Sequence, residues 1–74
     1  MLERNQENFA RKILAKKTEV ESLTAGEMTV FMDFVSKGFA ERSGSIAAFT
    51  NEGLRFIAAE RRDAFERIRR GELQ

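Results

Sequence analysis

The stretch Arg42-Ser43-Gly44-Ser45 decides how the second half of the chain is divided into structural elements. It separates an apolar segment that ends at Phe39 from another that begins at Ile46. Gly44 is able to adopt the left-handed backbone conformation that commonly ends a helix, and Ser45 is a favoured residue for starting one. The stretch therefore predicts that one helix ends near residue 42 and another begins near residue 46.

A second break lies upstream, in Ser22-Leu23-Thr24-Ala25-Gly26-Glu27. Thr24 and Glu27 have the three-residue spacing at which their side chains accept hydrogen bonds from free backbone N–H groups at a helix start. The two breaks predict three helices, at about residues 3–21, 25–42 and 46–70. We therefore expect an all-α fold, a small two- or three-helix bundle or helical hairpin, in a single domain formed by residues 1–74.

Apolar residues recur at helical spacing in each predicted helix. The first apolar face consists of Leu2, Phe9, Ile13 and Val20, and the second of Met28, Phe31, Met32, Val35 and Phe39. The third helix has an apolar arc of about 200° on its helical wheel, which one neighbouring helix is too narrow to cover. The arc consists of Ile46, Phe49, Leu54, Phe56, Ile57, Ala58, Ala64, Phe65 and Ile68. Because a chain of 74 residues has few other ways to cover such a face, we expect self-association to complete the bundle.

Four residues are candidates for contact with a partner: Val30, Phe34, Phe56 and Arg61. Val30 and Phe34 lie on a different side of the second helix from the Met/Phe face. They either pack on the third helix or form a surface for a partner or a second copy. Arg61 lies within the apolar arc of the third helix, which also contains Phe56. Its long side chain either reaches an acid on another helix or anchors an interface.

The composition argues against catalysis and metal binding. The chain contains no His, Cys or Tyr, so the usual general bases, thiol nucleophiles and zinc ligands are missing. Carboxylates of the last helix, such as Glu60 and Asp63, have arginine neighbours and are expected to form ion pairs on a solvated face. We therefore predict a non-enzymatic protein with no catalytic residues, no cofactor and no metal site.

Neither a signal peptide nor a membrane span is indicated by the sequence. The first eight residues are polar and mixed in charge, and no apolar run approaches the roughly 18 residues that a membrane span requires. The chain has a formal net charge of +1 and no Cys. We expect a soluble, cytoplasmic protein.

Nucleic-acid binding is one alternative. The end of the third helix carries Arg61, Arg62, Arg67, Arg69 and Arg70, although neighbouring acids reduce the positive surplus. Residues 39–44 also resemble the first helix and turn of repressor-type helix-turn-helix proteins, which would imply DNA binding. The chain departs from that pattern at Ser45, Thr50 and Gly53.

A second alternative comes from a resemblance to the phasin family, helical proteins that coat polyester storage granules. Residues 31–37 and 49–56 are similar to the Phe-rich amphipathic helices of that family. The resemblance implies a coat of an apolar surface. The interpretation we favour is a protein–protein interaction module, an accessory, regulatory or inhibitory subunit that buries a Phe/Met-rich face on a partner protein.

Overall fold

The computed structural model describes residues 2–69, with side chains described for residues 2–62. The elements are helix α1 (Arg4–Ala15), strand β1 (Thr18–Glu19), a short 3-10 helix (Val20–Ser22), helix α2 (Ala25–Ser36), strands β2 (Ala40–Ser43) and β3 (Ile46–Phe49), and helix α3 (Asn51–Arg69). The strands form one antiparallel sheet in the order β1-β3-β2. The fold is therefore mixed α and β, and the prediction of an all-α bundle is wrong.

Helix α1 ends six residues earlier than the predicted limit of residue 21. Lys16 is extended, with φ −161° and ψ 162°, and the chain then enters β1, where Thr18 pairs with Ala47 of β3. The backbone N–H of Val20 donates to the carbonyl oxygen of Ser45 at 2.8 Å, which prolongs this contact. Thr18 is β-branched and favours the pleated surface of a strand over a helix, which agrees with the end of α1 before this residue.

Helix α2 begins where the sequence predicts. The backbone N–H of Glu27 donates to the Thr24 hydroxyl at 3.2 Å, and the N–H of Thr24 donates to the Glu27 carboxylate at 2.8 Å. This reciprocal pair satisfies backbone donors that have no partner within the helix. The predicted capping box is therefore confirmed, and it fixes the first helical residue as Ala25.

The end of α2 differs from the prediction, because the helix stops at Ser36 and residues 40–43 form a strand. Gly38 has φ +80°, the left-handed conformation in which glycine meets no Cβ penalty. Its N–H donates to the Val35 carbonyl at 3.0 Å, and the N–H of Phe39 donates to the Phe34 carbonyl at 2.8 Å. These two bonds form a Schellman motif, which satisfies the last carbonyls and turns the chain out of the helix.

The predicted helix break at Gly44 is instead the turn of a β-hairpin. Ser43 pairs with Ile46, so Gly44 and Ser45 are the two loop residues between β2 and β3. Gly44 has φ +64°, which confirms its left-handed conformation. A glycine at the first central position is favoured in two-residue hairpin turns, because the twist of that turn matches the twist of the flanking strands. Residues 46–49 are therefore a strand and not the start of the third helix.

Helix α3 is held at its start by Thr50. The Thr50 hydroxyl accepts a hydrogen bond from the Gly53 N–H at 3.0 Å and donates to the Gly38 carbonyl at 2.7 Å. The Thr50 N–H donates to the Phe39 carbonyl at 3.0 Å. One residue thus caps α3 and ties it to the turn that follows α2, and α3 runs without interruption through Gly53.

Phenylalanine rings form the centre of the molecule. Phe9 of α1 and Phe34 of α2 are buried, with their ring centroids 6.0 Å apart. Phe31 and Phe49 lie 6.1 Å and 6.2 Å from the Phe9 ring. The Phe9 and Phe49 rings meet edge to face at 83°, and the other two pairs are tilted, within the range of distances that aromatic side chains prefer. The core therefore joins α1, α2 and the sheet.

Candidate functional site

An open apolar groove lies between the C-terminal end of α1, strand β3 and the first turns of α3. We call it the Leu14–Leu54 groove, after two leucines that line it. Its volume is about 640 Å³. Its lining residues are Ile13, Leu14, Lys16, Lys17, Ser43, Ile46, Ala47, Ala48, Phe49 and Leu54.

Two large apolar side chains of the groove remain in water. Leu14 is 44% exposed and Leu54 is 45% exposed, although both lie on helices that the core holds in place. Leu14 lies one residue before the end of α1. Leu54 lies in the first turn of α3, where its N–H donates to the Thr50 carbonyl at 2.9 Å. Large apolar side chains that share one concave surface are typical of binding sites.

The described residues give the groove a positive charge. Lys16 and Lys17 both line it, and none of the described residues that line it is acidic. Within the described part of the chain neither lysine forms an ion pair, whereas Lys12 pairs with Glu27 and Lys37 pairs with Asp33. Lysines near a helix C-terminus also interact favourably with the helix dipole. Because neither lysine has an ion pair within the described residues, both ammonium groups are available to an anion from outside the chain.

The Lys12–Glu27 pair braces α1 against α2. Lys12 Nζ lies 3.0 Å and 3.1 Å from the two carboxylate oxygens of Glu27. Hydrogen bonding from the Thr24 backbone N–H, and then from Lys12, lowers the pKa of Glu27 below its ordinary value. Because each charge of this pair already has its partner within the fold, the pair holds the two helices together and is not a site for a ligand.

Three of the four candidate partner-binding residues lie in or against the core. Phe34 is only 1% exposed, and Val30 is half-buried against the core cluster. Phe56 is half-buried and stacks on Phe39, with the two ring centroids 4.4 Å apart and the planes at 13°. The structure therefore does not bring Val30, Phe34 and Phe56 together on a free surface. The Phe34 ring packs in the core against rings of α1, β3 and α3, namely Phe9, Phe49 and Phe56.

Arg61 reaches an acid on another helix. Its guanidinium lies 3.3 Å from the carboxylate of Glu7 on α1. The Arg61 side chain is 43% exposed, so it lies at the edge of the apolar arc and ends in water. This is the intramolecular alternative that the sequence left open. The side chains of Arg67, Arg69 and Arg70, on which nucleic-acid binding would depend, lie outside the described residues.

The groove itself was not predicted from the sequence. Leu14 is next to Ile13 but belongs to no predicted face, and Leu54 was assigned to the broad apolar arc of a longer helix. The sequence carries one local signal for the groove, the pair Lys16-Lys17 directly after the apolar run Ile13-Leu14-Ala15. The lysine pair alone does not show that β3 and α3 form the other walls of the groove, because those elements lie beside α1 only once the hairpin has formed.

Within the described residues, no group of three or more His, Cys, Asp or Glu side chains is placed to hold a metal ion. Over the same part of the chain, no helix is long and apolar enough to cross a membrane. No known protein family, curated protein or solved structure matches the chain. The geometry and chemistry of the groove are therefore the basis for assigning a function to this chain.

Proposed function

We propose that this chain is a non-enzymatic protein–protein interaction module that binds its partner through the Leu14–Leu54 groove. The observation that carries the proposal is that Leu14 and Leu54, both nearly half exposed, line the same groove. Burial of apolar surface on a partner contributes roughly 25 cal/mol per Å², which makes exposed leucines the main source of affinity here. An accessory, regulatory or inhibitory subunit is the form of module we favour.

The groove replaces the Phe/Met-rich face that the sequence suggested as the binding surface. Phe9, Phe31 and Phe34 are buried in the core of a single chain, so they have no surface to offer a partner. Met32 remains 56% exposed on α2, but it does not line the groove. The lack of His, Cys and Tyr supports a role without catalysis, and the lack of Cys is compatible with the cytoplasmic location that we also propose.

Self-association and nucleic-acid binding are the other outcomes that an experiment must separate. The case for self-association came from a broad apolar arc on the third helix. Ile46 and Phe49 of that arc belong to β3, and Ile57 is buried. A second copy seated in the groove would be seen as concentration-dependent mass in sedimentation equilibrium. Nucleic-acid binding would instead weaken steeply as salt rises, because cations are released from the phosphate backbone.

Comparative capture of proteins from an extract of the source cell tests the proposal. Wild-type chain, the double variant Leu14→Ser/Leu54→Ser and the control Met32→Ser are immobilised in equal amounts. We expect at least one protein that wild type and Met32→Ser retain and the double variant loses. Circular dichroism verifies that all three chains are folded. If every captured protein binds the double variant as well as it binds wild type, the groove is not the binding surface.

A further inference from the structure

We propose that the Leu14–Leu54 groove binds an acidic amphipathic segment of a partner protein, with one or two large apolar side chains flanked by Asp or Glu. This inference rests on the proposed function, since it names the chemistry of the partner that the module binds. Two properties of the groove carry it, namely its apolar floor and the charge at its edge.

The floor of the groove has room for large side chains. Ala48 of β3 lines it, and its small side chain leaves space that a larger residue would fill, whereas Ala47 belongs to the core at 3% exposure. Ile13, Ile46 and Phe49 add apolar surface around Ala48. The volume of about 640 Å³ lies in the range typical of binding clefts. The groove therefore accepts one or two side chains such as Leu or Phe.

The charge at the edge selects the residues that flank those side chains. Lys16 and Lys17 line the groove, none of whose described lining residues is acidic, and neither lysine forms an ion pair in the described part of the chain. Carboxylates next to the bound apolar residues would supply the missing negative charge. A basic segment would bring its own cations next to Lys16 and Lys17, and the repulsion between like charges would lower its affinity for the groove.

Other classes of ligand fit these observations less well. Binding to nucleic acid needs many cations along a phosphate backbone, whereas two lysines lie beside an apolar floor here. A lipid surface is bound by an apolar face that projects into the interface, but Leu14 and Leu54 line a concave surface. A small amphiphile in an open groove would keep much of its surface in water, whereas small ligands are usually buried by about 70–90%. A protein segment covers the open side with its own backbone.

A peptide titration of the full chain tests the inference. The probe is the acetylated peptide Glu-Asp-Leu-Leu-Glu-Phe-Leu-Asp-Glu, with one version in which Gln and Asn replace the acids and another in which Lys replaces them. Binding is followed by nuclear magnetic resonance on the isotope-labelled protein. We expect the acidic peptide to bind most tightly, to shift the resonances of Leu14, Ile46 and Leu54, and to weaken as salt rises.

Charge-reversal variants test whether Lys16 and Lys17 cause the preference for the acidic peptide. Lys16→Glu/Lys17→Glu is expected to lower the affinity for the acidic peptide about tenfold or more and to raise that for the lysine peptide. The control with the same change in net charge is Lys37→Glu/Arg62→Glu, at two exposed positions that do not line the groove. This control is expected to bind all three peptides as wild type does.

Each remaining outcome has a defined meaning. Equal affinity for the acidic and uncharged peptides, with both in the groove, overturns the acidic partner and leaves the interaction module standing. An absence of shifts around the groove with the acidic peptide also overturns the inference. Displacement of the peptide by vesicles of phosphatidylcholine with a quarter phosphatidylglycerol assigns the groove to lipid instead. The capture experiment with Leu14→Ser/Leu54→Ser decides the proposed function separately.

Discussion

Gly53, in the first turn of α3, lies directly against the backbone carbonyl group of Phe39. A β-carbon at Gly53 would overlap the Phe39 carbonyl oxygen, and backbone atoms of this kind cannot move aside as a side chain does. The same carbonyl accepts the N–H of Thr50 at 3.0 Å. The approach of α3 to the turn after α2 thus requires a residue without a side chain at this one position.

Gly53→Ala is expected to destabilise the protein by about 1–3 kcal/mol, because the added methyl group forces α3 away from Phe39. In an unobstructed helix the same change stabilises by up to about 1 kcal/mol. Gly26→Ala in α2 is the control, since nothing lies within 4 Å of the added carbon there. Urea unfolding measures both. A Gly53→Ala variant more stable than wild type would show that α3 does not pack this closely.

Phe34→Ala is expected to destabilise as strongly as Phe31→Ala, by about 3–5 kcal/mol each, because both rings are buried in the same core. The helical spacing in the sequence instead predicts that the two residues lie on different faces of the second helix. Met32→Ala, in the exposed position between them, is expected to change stability by no more than about 0.5 kcal/mol. Thermal unfolding of the three variants distinguishes the two arrangements. A Phe34→Ala chain that unfolds like Met32→Ala would remove Phe34 from the core.

The stability of the protein is expected to fall in acid partly through Glu27. Because folding lowers the pKa of Glu27 from its ordinary value of 4.5, the ionised carboxylate stabilises the folded state above that pH. This contribution is lost as the pH falls through the lowered pKa. Glu27→Gln should therefore flatten the dependence of stability on pH in the acid range. At neutral pH it is expected to cost about 1 kcal/mol, from the weakened cap and the lost ion pair.

Lys12→Met provides the comparison for that measurement. It removes the ammonium group that donates to Glu27 but leaves the hydrogen bond from the Thr24 N–H, which is the larger cause of the lowered pKa. The variant should keep part of the acid dependence, between wild type and Glu27→Gln. Urea unfolding at a series of pH values measures all three chains. Identical slopes for wild type and Glu27→Gln would exclude Glu27 as a source of the pH dependence.

Arg61→Met is expected to leave the fold intact and to change stability by no more than about 1 kcal/mol. The Arg61–Glu7 pair spans 3.3 Å between partly exposed side chains, and such pairs contribute little in water. Arg55→Met, on the exposed side of α3, is the control. Binding of the acidic peptide should be unchanged in both variants, because neither arginine lines the groove. A selective loss of binding in Arg61→Met would restore Arg61 as an interface anchor.

Local signals in the sequence were sufficient where the interactions are local. Thr24 and Glu27 predict the start of α2 to the residue, because the capping box lies entirely within four consecutive positions. The sequence predicts the left-handed conformation of Gly44 correctly, but it places this glycine at the end of a helix and not in a hairpin turn. A left-handed glycine ends a helix or turns a hairpin equally well, and the neighbouring Ala40–Ser43 strand has little alternation to decide between them.

The groove and the end of α2 could not be predicted from periodicity. Phe39 continues the helical spacing of Val35, so the apolar pattern extends past the true helix end at Ser36. The Schellman turn at Gly38 nevertheless returns Phe39 to the same core, where its ring lies 6.3 Å from that of Phe34. Leu14 and Leu54 share a surface only after the hairpin forms, and no local rule connects residues so distant in sequence.

The position of Phe9 has a consequence for synthesis of the chain. Its ring is covered by Phe31 and Phe34 of α2 and by Phe49 of β3, all of which follow it in the sequence. Phe9 is synthesised 40 residues before Phe49, so its ring has no cover from β3 until that strand is available. The nascent chain therefore exposes its future core until the hairpin has emerged. Completion of the core therefore waits for the hairpin, and the interval before the hairpin pairs is when aggregation or chaperone binding competes with folding.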